Sequence, residues 1–334
     1  MELSSLLAEA VALGASDLHV STGEHPIMRI DGELVRCSQY PIIELNQFEA
    51  QLGELVSQLQ RDDLVRRKEL DFAVDLPGCA RIRCNSFTHR AGLGLACRII
   101  PTKVPSLEVL GLPAVVSTFT AFTHGLVLIT GPTGSGKSTT LAALLDRINS
   151  EQSAHIITIE DPIEFVHSPQ RALIHQREVG LHSESFANAL RAALREDPDT
   201  IMVGELRDLE TIQLALTAAE TGHLVLASIH SSSAPKTIDR IIDVFPAAQQ
   251  SQVRSMLAES VQAIVTQTLL PKQGGGRVVA AEVLIATPAV RNIIREAKTH
   301  QLPGVMQVSR NVGMQTLDMH VRELGAVVCT SCLT

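Results

Sequence analysis

Eight residues near the middle of the chain constrain its fold more than any other feature. Gly131-Pro132-Thr133-Gly134-Ser135-Gly136-Lys137-Ser138 fits G-x-x-x-x-G-K-[ST] at every fixed position. The apolar run 126–130 precedes it, and a segment of helical spacing from residue 137 to about 149 follows it. Strand, glycine-rich turn and helix in that order make a cradle for polyphosphate. Successive backbone N–H groups and the positive end of the helix bind the negative charge without side-chain bulk. Glycine supplies both the unusual dihedrals and the close approach. In such a cradle Lys137 reaches the β- and γ-phosphates, the Ser138 hydroxyl ligates Mg²⁺, and Thr139 completes the ATP-binding run that starts at Gly131. ATP and Mg²⁺ are therefore the expected cofactors.

Phosphoryl transfer also needs an acid for the metal and a group that orients the attacking water. Two acidic sites lie at the ends of expected strands, where open α/β sheets place their ligands. One is Ile159-Glu160-Asp161-Pro162-Ile163-Glu164-Phe165; the other is Thr200-Ile201-Met202-Val203-Gly204-Glu205, an apolar strand that delivers an acid in Walker B form. Spacing alone assigns Glu205 to Mg²⁺ through water and leaves Glu160 and Glu164 both open as the water-orienting group. Gly222-His223 precedes the expected strand 224–229 and His230 ends it. A lone histidine at a strand end is most often a satisfied structural residue.

The surrounding pattern divides in two. Residues 3–13 read as an amphipathic helix, 18–20 and 27–30 as strands with a hairpin turn at Asp31-Gly32, 46–69 as a polar helix, and 71–74, 80–86 and 94–99 as strands. Residues 1–100 thus form a small α+β domain. Pro101-Thr102-Lys103-Val104-Pro105 and Gly111-Leu112-Pro113 break both periods and place a linker at 101–113. From 114 to 334 continuous apolar strands (156–159, 200–203, 224–229) alternate with helices (about 186–194 and 209–221), the texture of a parallel sheet covered on both faces. Beyond residue 250 Val253, Met256, Leu257, Val261, Ile264 and Val265 read as one helical face, leaving Gly274-Gly275-Gly276 as a loop.

Composition excludes several classes. A net charge of -8, no tryptophan and a single tyrosine leave neither the basic field nor the stacking surface of a nucleic-acid binder. The densest basic cluster, Arg61, Arg66, Arg67 and Lys68, is interleaved with Asp62, Asp63 and Glu69 and reads as a solvated helix face. The acidic start lacks the basic-then-apolar plan of a signal peptide, and no run approaches the ~18 apolar residues of a membrane span. Cys37, Cys79, Cys84, Cys97, Cys329 and Cys332 fit a reduced cytoplasmic protein, with Cys329-x-x-Cys332 in a mobile tail.

Several co-linear motifs resemble the type II/IV secretion ATPases, specifically the type IV pilus retraction (twitching motility) or PilT type. They are Ala15-Ser16-Asp17-Leu18-His19, the 131–138 loop, Thr158 to Phe165, Leu194-Arg195-Glu196-Asp197-Pro198-Asp199, Gly222-His223-Leu224-Val225, Thr237-Ile238-Asp239-Arg240, residues 289–296 and Gly313-Met314-Gln315-Thr316-Leu317-Asp318. The resemblance runs from about residue 4 to 320. It implies an N-terminal PAS-like domain, a RecA-like P-loop NTPase core and a homohexameric ring, cytoplasmic and peripheral at the inner-membrane face of a pilus machine. The implied partners are the inner-membrane pilus platform protein and a second retraction ATPase, with no nucleic acid. By the family pattern the catalytic glutamate falls on Glu164, Glu205 is the Walker B acid, His223 and His230 form the His box, and Arg81, Arg83 and Arg98 approach the nucleotide phosphates. Ser231 stands where the family commonly has threonine, and the segment after Gly325 is shorter than the usual helical tail.

Three other classes fit these residues less well. Pilus assembly or type II secretion ATPases usually carry a longer N-terminal region and a tetracysteine zinc insert, both missing here. A DNA-translocating RecA-like ATPase requires basic loops that the acidic balance does not supply. A silent nucleotide-binding scaffold has no need of Lys137, Glu164 and Glu205 together.

Overall fold

The computed structural model describes residues 2–30, 32–76, 80–100 and 104–328, which fall into two units. The first comprises Met1–Lys103 together with Glu164–Val166, and the second Val104–Ile163 and His167–Thr334.

In the first unit α1 (Leu3–Ala12) leads to β1 (Asp17–Ser21), β2 (Ile27–Ile30), β3 (Glu33–Arg36), α2 (Leu45–Leu55), α3 (Gln58–Arg67), β4 (Glu69–Leu76), β5 (Ala80–His89) and β6 (Gly92–Ile100). The six strands pair antiparallel in the order β3-β2-β1-β6-β5-β4. Strict alternation along β5 buries Ala80, Ile82, Cys84 and Ser86 and turns Arg81, Arg83 and Asn85 to the other face. The inward set joins Leu3, Leu6, Leu7, Leu18, Phe48 and Leu95 in one core.

The polar segment read as one helix over 46–69 is two helices. Ser57 breaks it by closing a capping box: its Oγ accepts from the Gln60 N–H, and the Gln60 side chain accepts from the Ser57 N–H. On α3 the basic cluster behaves as a solvated face, with exposed Arg66 and Arg67 both beside Asp63. Asp31 of the hairpin turn, Cys79, Cys329, Cys332 and residues 101–103 of the linker lie outside the described residues. Cys37, Cys84 and Cys97 are free thiols.

The second unit holds β7 (Gly125–Thr130), α4 (Lys137–Glu151), β8 (His155–Glu160), β9 (Leu173–Glu178), α5 (Phe186–Ala193), β10 (Thr200–Val203), α6 (Leu209–Glu220), β11 (Leu224–Ile229), α7 (Ala234–Asp243), α8 (Ala247–Ser260), β12 (Val261–Pro271), β13 (Arg277–Ile285), α9 (Pro288–Arg295), α10 (Leu302–Val308) and α11 (Leu317–Leu324). Seven strands run in the order β13-β12-β7-β11-β10-β8-β9. All neighbours are parallel except β12 and β13. Alternation along β7 sends Leu126 and Leu128 to one core and Val127 and Ile129 to the other, so apolar clusters cover both faces.

The helical reading beyond residue 250 is overturned in part. Val253, Met256 and Leu257 do lie on α8, but Val261, Ile264 and Val265 open β12, and Gly274-Gly275-Gly276 turns the chain back into β13. Because most of β12 is buried on both faces, it carries no period-two signal. Its β-branched residues were the available cue.

Candidate active site

Gly131 follows the interior strand β7 with φ 143°, and a Cβ there would stand 2.2 Å from the Gln267 carbonyl oxygen. Only glycine fits. Gly134 (φ 76°) and Gly136 (φ 89°) turn the loop over so that α4 starts at Lys137. The Lys137 ammonium is held back on the loop, donating to the carbonyls of Gly131 (3.1 Å) and Pro132 (2.9 Å). Ser135 Oγ is buried inside the loop with no protein partner.

A residue that sequence reasoning missed shapes this loop. Gln267 of β12, 2% exposed, donates from Nε2 to the Ser135 carbonyl (2.7 Å) and accepts at Oε1 from the Thr140 hydroxyl (3.0 Å). Next to it, Thr130 Oγ1 donates to Thr266 Oγ1 (2.8 Å). The hairpin that the sequence hid is therefore the floor of the loop.

His230 ends β11, the parallel neighbour of β7, and so emerges on the same edge of the sheet as Gly131. Its Nδ1 lies 3.4 Å from Lys137 Nζ and its Nε2 3.4 Å from Glu205 Oε1. An ammonium has no acceptor, so Nδ1 accepts and Nε2 carries the proton that faces Glu205. The other Glu205 oxygen takes 2.8 Å contacts from Arg207 Nε and Nη2, and Arg207 Nη1 lies 3.9 Å from Asp161. The bond to Glu205 pushes the Arg207 pKa above its ordinary value. Lys137, His230, Glu205, Arg207 and Asp161 thus form one polar chain. Arg207 was not foreseen; its place two residues beyond Glu205 was the available signal. A cleft of about 650 Å³ opens beside His230 along Ser231, Ser232, Lys236, Asp239 and Arg240.

The remaining sequence candidates separate. Glu160, buried at the end of β8, accepts at Oε1 from Thr158 Oγ1 (2.7 Å) and Gln176 Nε2 (3.1 Å). Glu164 belongs to the first unit, where its Oε1 lies 4.0 Å from Arg83 Nη1. In that unit Arg81 donates to Asp75 (2.8 Å) and Arg98 to Asp17 (3.1 Å). His223 precedes β11 and therefore sits at the opposite edge of the sheet from His230, roughly 20 Å away by strand rise. Its carbonyl accepts from the Gly125 N–H, and its Nδ1 lies 3.0 Å from the Ala218 carbonyl. Within one chain His223 and Lys137 do not share a site.

The residues present suit a nucleotide with Mg²⁺. The loop glycines leave the backbone bare, Ser135 Oγ is an orphaned buried polar atom, and Ser138 and Glu205 offer the oxygen donors that a hard cation takes. Among the described residues no cluster of three or more His, Cys, Asp or Glu could hold a metal by itself. Such a cluster is not needed where a magnesium ion completes its shell with water and phosphate.

A family model described as "Type II/IV secretion system protein" matches residues 2–322. The type IV pilus retraction ATPase PilT of Pseudomonas aeruginosa is 52% identical over 326 residues, covering 98% of this chain and 94% of that protein. A twitching motility protein of Neisseria gonorrhoeae is 50% identical over 300 residues, covering 90% of this chain and 80% of that one. Among solved structures, a crystal structure of the pilus retraction motor PilT with bound ADP superposes with a TM-score of 0.93 at 44% identity, covering 99% of this chain and 95% of that one.

Proposed function

Because the chain belongs to the type II/IV secretion system protein family, we propose that it is a P-loop ATPase whose turnover powers type IV pilus retraction. The observation that carries the proposal is the pre-shaped phosphate loop, with Lys137 and His230 on one sheet edge and Glu205 behind them. The kinship to a retraction ATPase and to an ADP-bound retraction motor names the nucleotide and the work.

In this reading the backbone of residues 131–139 cradles the phosphates. Lys137 exchanges its two carbonyl partners for the β- and γ-phosphate oxygens. Ser138 and Glu205 would hold a magnesium ion, which would supply neutralisation of phosphate charge. His230 orients Glu205 from one side and Arg207 from the other. Glu164 is the proposed water-orienting group. Glu160 is disfavoured, since its two hydrogen bonds hold it in the sheet. Arg81, Arg83 and Arg98 already face carboxylates of their own unit, so recruitment to a phosphate requires exchanging Asp75, Glu164 or Asp17.

A homohexameric ring working at the cytoplasmic face of an inner-membrane platform protein, with a second retraction ATPase as co-worker, completes the proposal. Among the described residues no helix is long and apolar enough to cross a membrane.

Phosphate release from Mg·ATP by the purified chain, lost in Lys137→Ala, tests the chemistry. A deletion strain tests the work: extra surface pili with lost twitching support retraction, whereas bald cells transfer the protein to assembly.

A further inference from the structure

His230 is followed by only three residues before α7 begins at Ala234. The turn is tightly tied. Ser233 Oγ caps α7 at the Lys236 N–H (3.4 Å), Thr237 Oγ1 donates to the Ser233 carbonyl (2.7 Å), and Ala234 and Thr237 are fully buried. What holds its far end is a carboxylate. Glu282 of β13, buried, accepts the Ala234 N–H at 2.7 Å, and the backbone N–H of Leu317, the first residue of α11, acts on the same carboxylate. One side chain therefore bonds the N-terminus of α7 and lies by that of α11, and both helix dipoles favour a negative group there. Burial pushes the Glu282 carboxyl pKa up, and the Ala234 and Leu317 backbone N–H groups oppose that shift.

The residues on either side of Glu282 hold the same C-terminal segment. Gln315 exchanges both backbone hydrogen bonds with Val283 (2.9 and 3.1 Å) and donates from Nε2 to the Ala281 carbonyl (2.8 Å). The Ala281 N–H donates to His320 Nδ1 (2.9 Å). Ala281 and Val283 thus dock α11 and the residues just before it, and Glu282 between them anchors the turn that carries His230.

We propose that Glu282 is a positioning residue for His230: by bonding the first N–H of α7 from the stretch of β13 that docks α11 it sets the His230 turn, and so links the placement of that ring to the docking of the C-terminal helix. The inference deepens the ATPase reading and rests on His230 acting in that site. Displacing a catalytic group by about 1 Å costs up to about 100-fold in rate.

The test uses the full chain in three variants. In Glu282→Ala, kcat for ATP falls by about 10- to 100-fold while KM stays within about twofold, because the Glu282 carboxylate bonds the start of α7, whereas Lys137 bonds the loop carbonyls and the Gln267 side chain bonds Ser135 and Thr140. Amides 231–237 exchange with deuterium faster than in the unaltered chain. Glu282→Gln, which keeps an acceptor oxygen, recovers most of the rate and the protection. Leu317→Pro removes one N–H at a first helical position that tolerates proline, after Thr316 at φ -83°, ψ 161°. It lowers kcat and speeds exchange at 231–237 with the melting transition kept, and it stands in where Glu282→Ala fails to fold. Unchanged kcat and unchanged exchange in Glu282→Ala overturn the proposal, as does a Glu282→Gln variant as impaired as Glu282→Ala. Phosphate release absent from the unaltered chain would sink the ATPase reading instead; the exchange pattern would still decide whether Glu282 sets the turn.

Discussion

His230 Nε2 lies 3.4 Å from Glu205 Oε1, with the Nδ1 of the same ring 3.4 Å from Lys137 Nζ. A single imidazole therefore spans Lys137 and Glu205. Removing it frees Glu205 to follow Arg207 alone. His230→Ala is expected to lower ATP turnover by about 10²-fold, the scale of losing one oriented polar group at a transition state. Its affinity for ADP should stay close to normal. Lys137→Ala should lose both turnover and binding. Steady-state phosphate release and ADP titration together check this pair; strong ADP loss in His230→Ala would assign the ring to ground-state binding.

The two candidate water-orienting acids differ in what they already hold. Glu160 is buried and accepts from Thr158 and Gln176, whereas Glu164 is half-exposed beside Arg83. Glu164→Gln should abolish turnover, by about 10²–10³-fold or more, without weakening nucleotide binding. Glu160→Gln keeps an acceptor oxygen and should retain most of the rate, at some loss of thermal stability. The opposite ranking of rates would move the role to Glu160.

Gln267 and Gly131 should fail in different ways. Gln267→Leu leaves the buried Ser135 carbonyl and Thr140 hydroxyl unsatisfied, about 1–3 kcal/mol for each group. A lower melting temperature with a raised KM for ATP is the expected outcome. Gly131→Ala drives a methyl into the Gln267 carbonyl, so the loop itself must move. Nucleotide binding should then be lost even where the fold survives. Calorimetry with an ADP titration separates the two.

Acid should weaken the fold through a buried histidine. His320 accepts the Ala281 N–H at Nδ1, and burial holds its pKa below the ordinary histidine value, with Glu323 pulling weakly the other way. The unfolded chain then binds the proton more readily than the folded one. Its stabilising contribution is complete above about pH 6.5 and is lost as pH falls through the folded value. His167, also depressed by burial, acts with the same sign. Glu282, raised by burial, acts oppositely: its contribution declines as pH climbs above about 4.3. Denaturant midpoints at pH 7.5 and 5.0 should therefore drop further for the unaltered chain than for His320→Asn. Equal drops would remove His320 from the account.

The phosphate loop, the parallel strands around it and the strand-end acids were legible because each is a local statement. Gly131, Gly134 and Gly136 adopt positive φ within a few residues of the lysine they position, and β7, β8, β10 and β11 are short continuous apolar runs. The helical reading of Val261 to Val265 failed for the complementary reason. A strand buried on both faces alternates nothing, and the preceding helix α8 lends it a false period.

By itself the sequence determined the chemistry that this chain can offer: a bare-backbone turn at 131–136, a lysine and a hydroxyl behind it, and acids at the ends of apolar strands. Those features depend on dihedrals and spacings that neighbouring residues set. The tertiary structure alone decided which distant groups meet. It brought Gln267 beneath Gly131, Glu282 between α7 and α11, and Arg207 onto Glu205, and it put His230 beside Lys137 while leaving His223 at the far edge of the sheet. Such pairings follow from strand order and register, which hydrogen bonds and burial across the whole sheet impose and no short window of residues records.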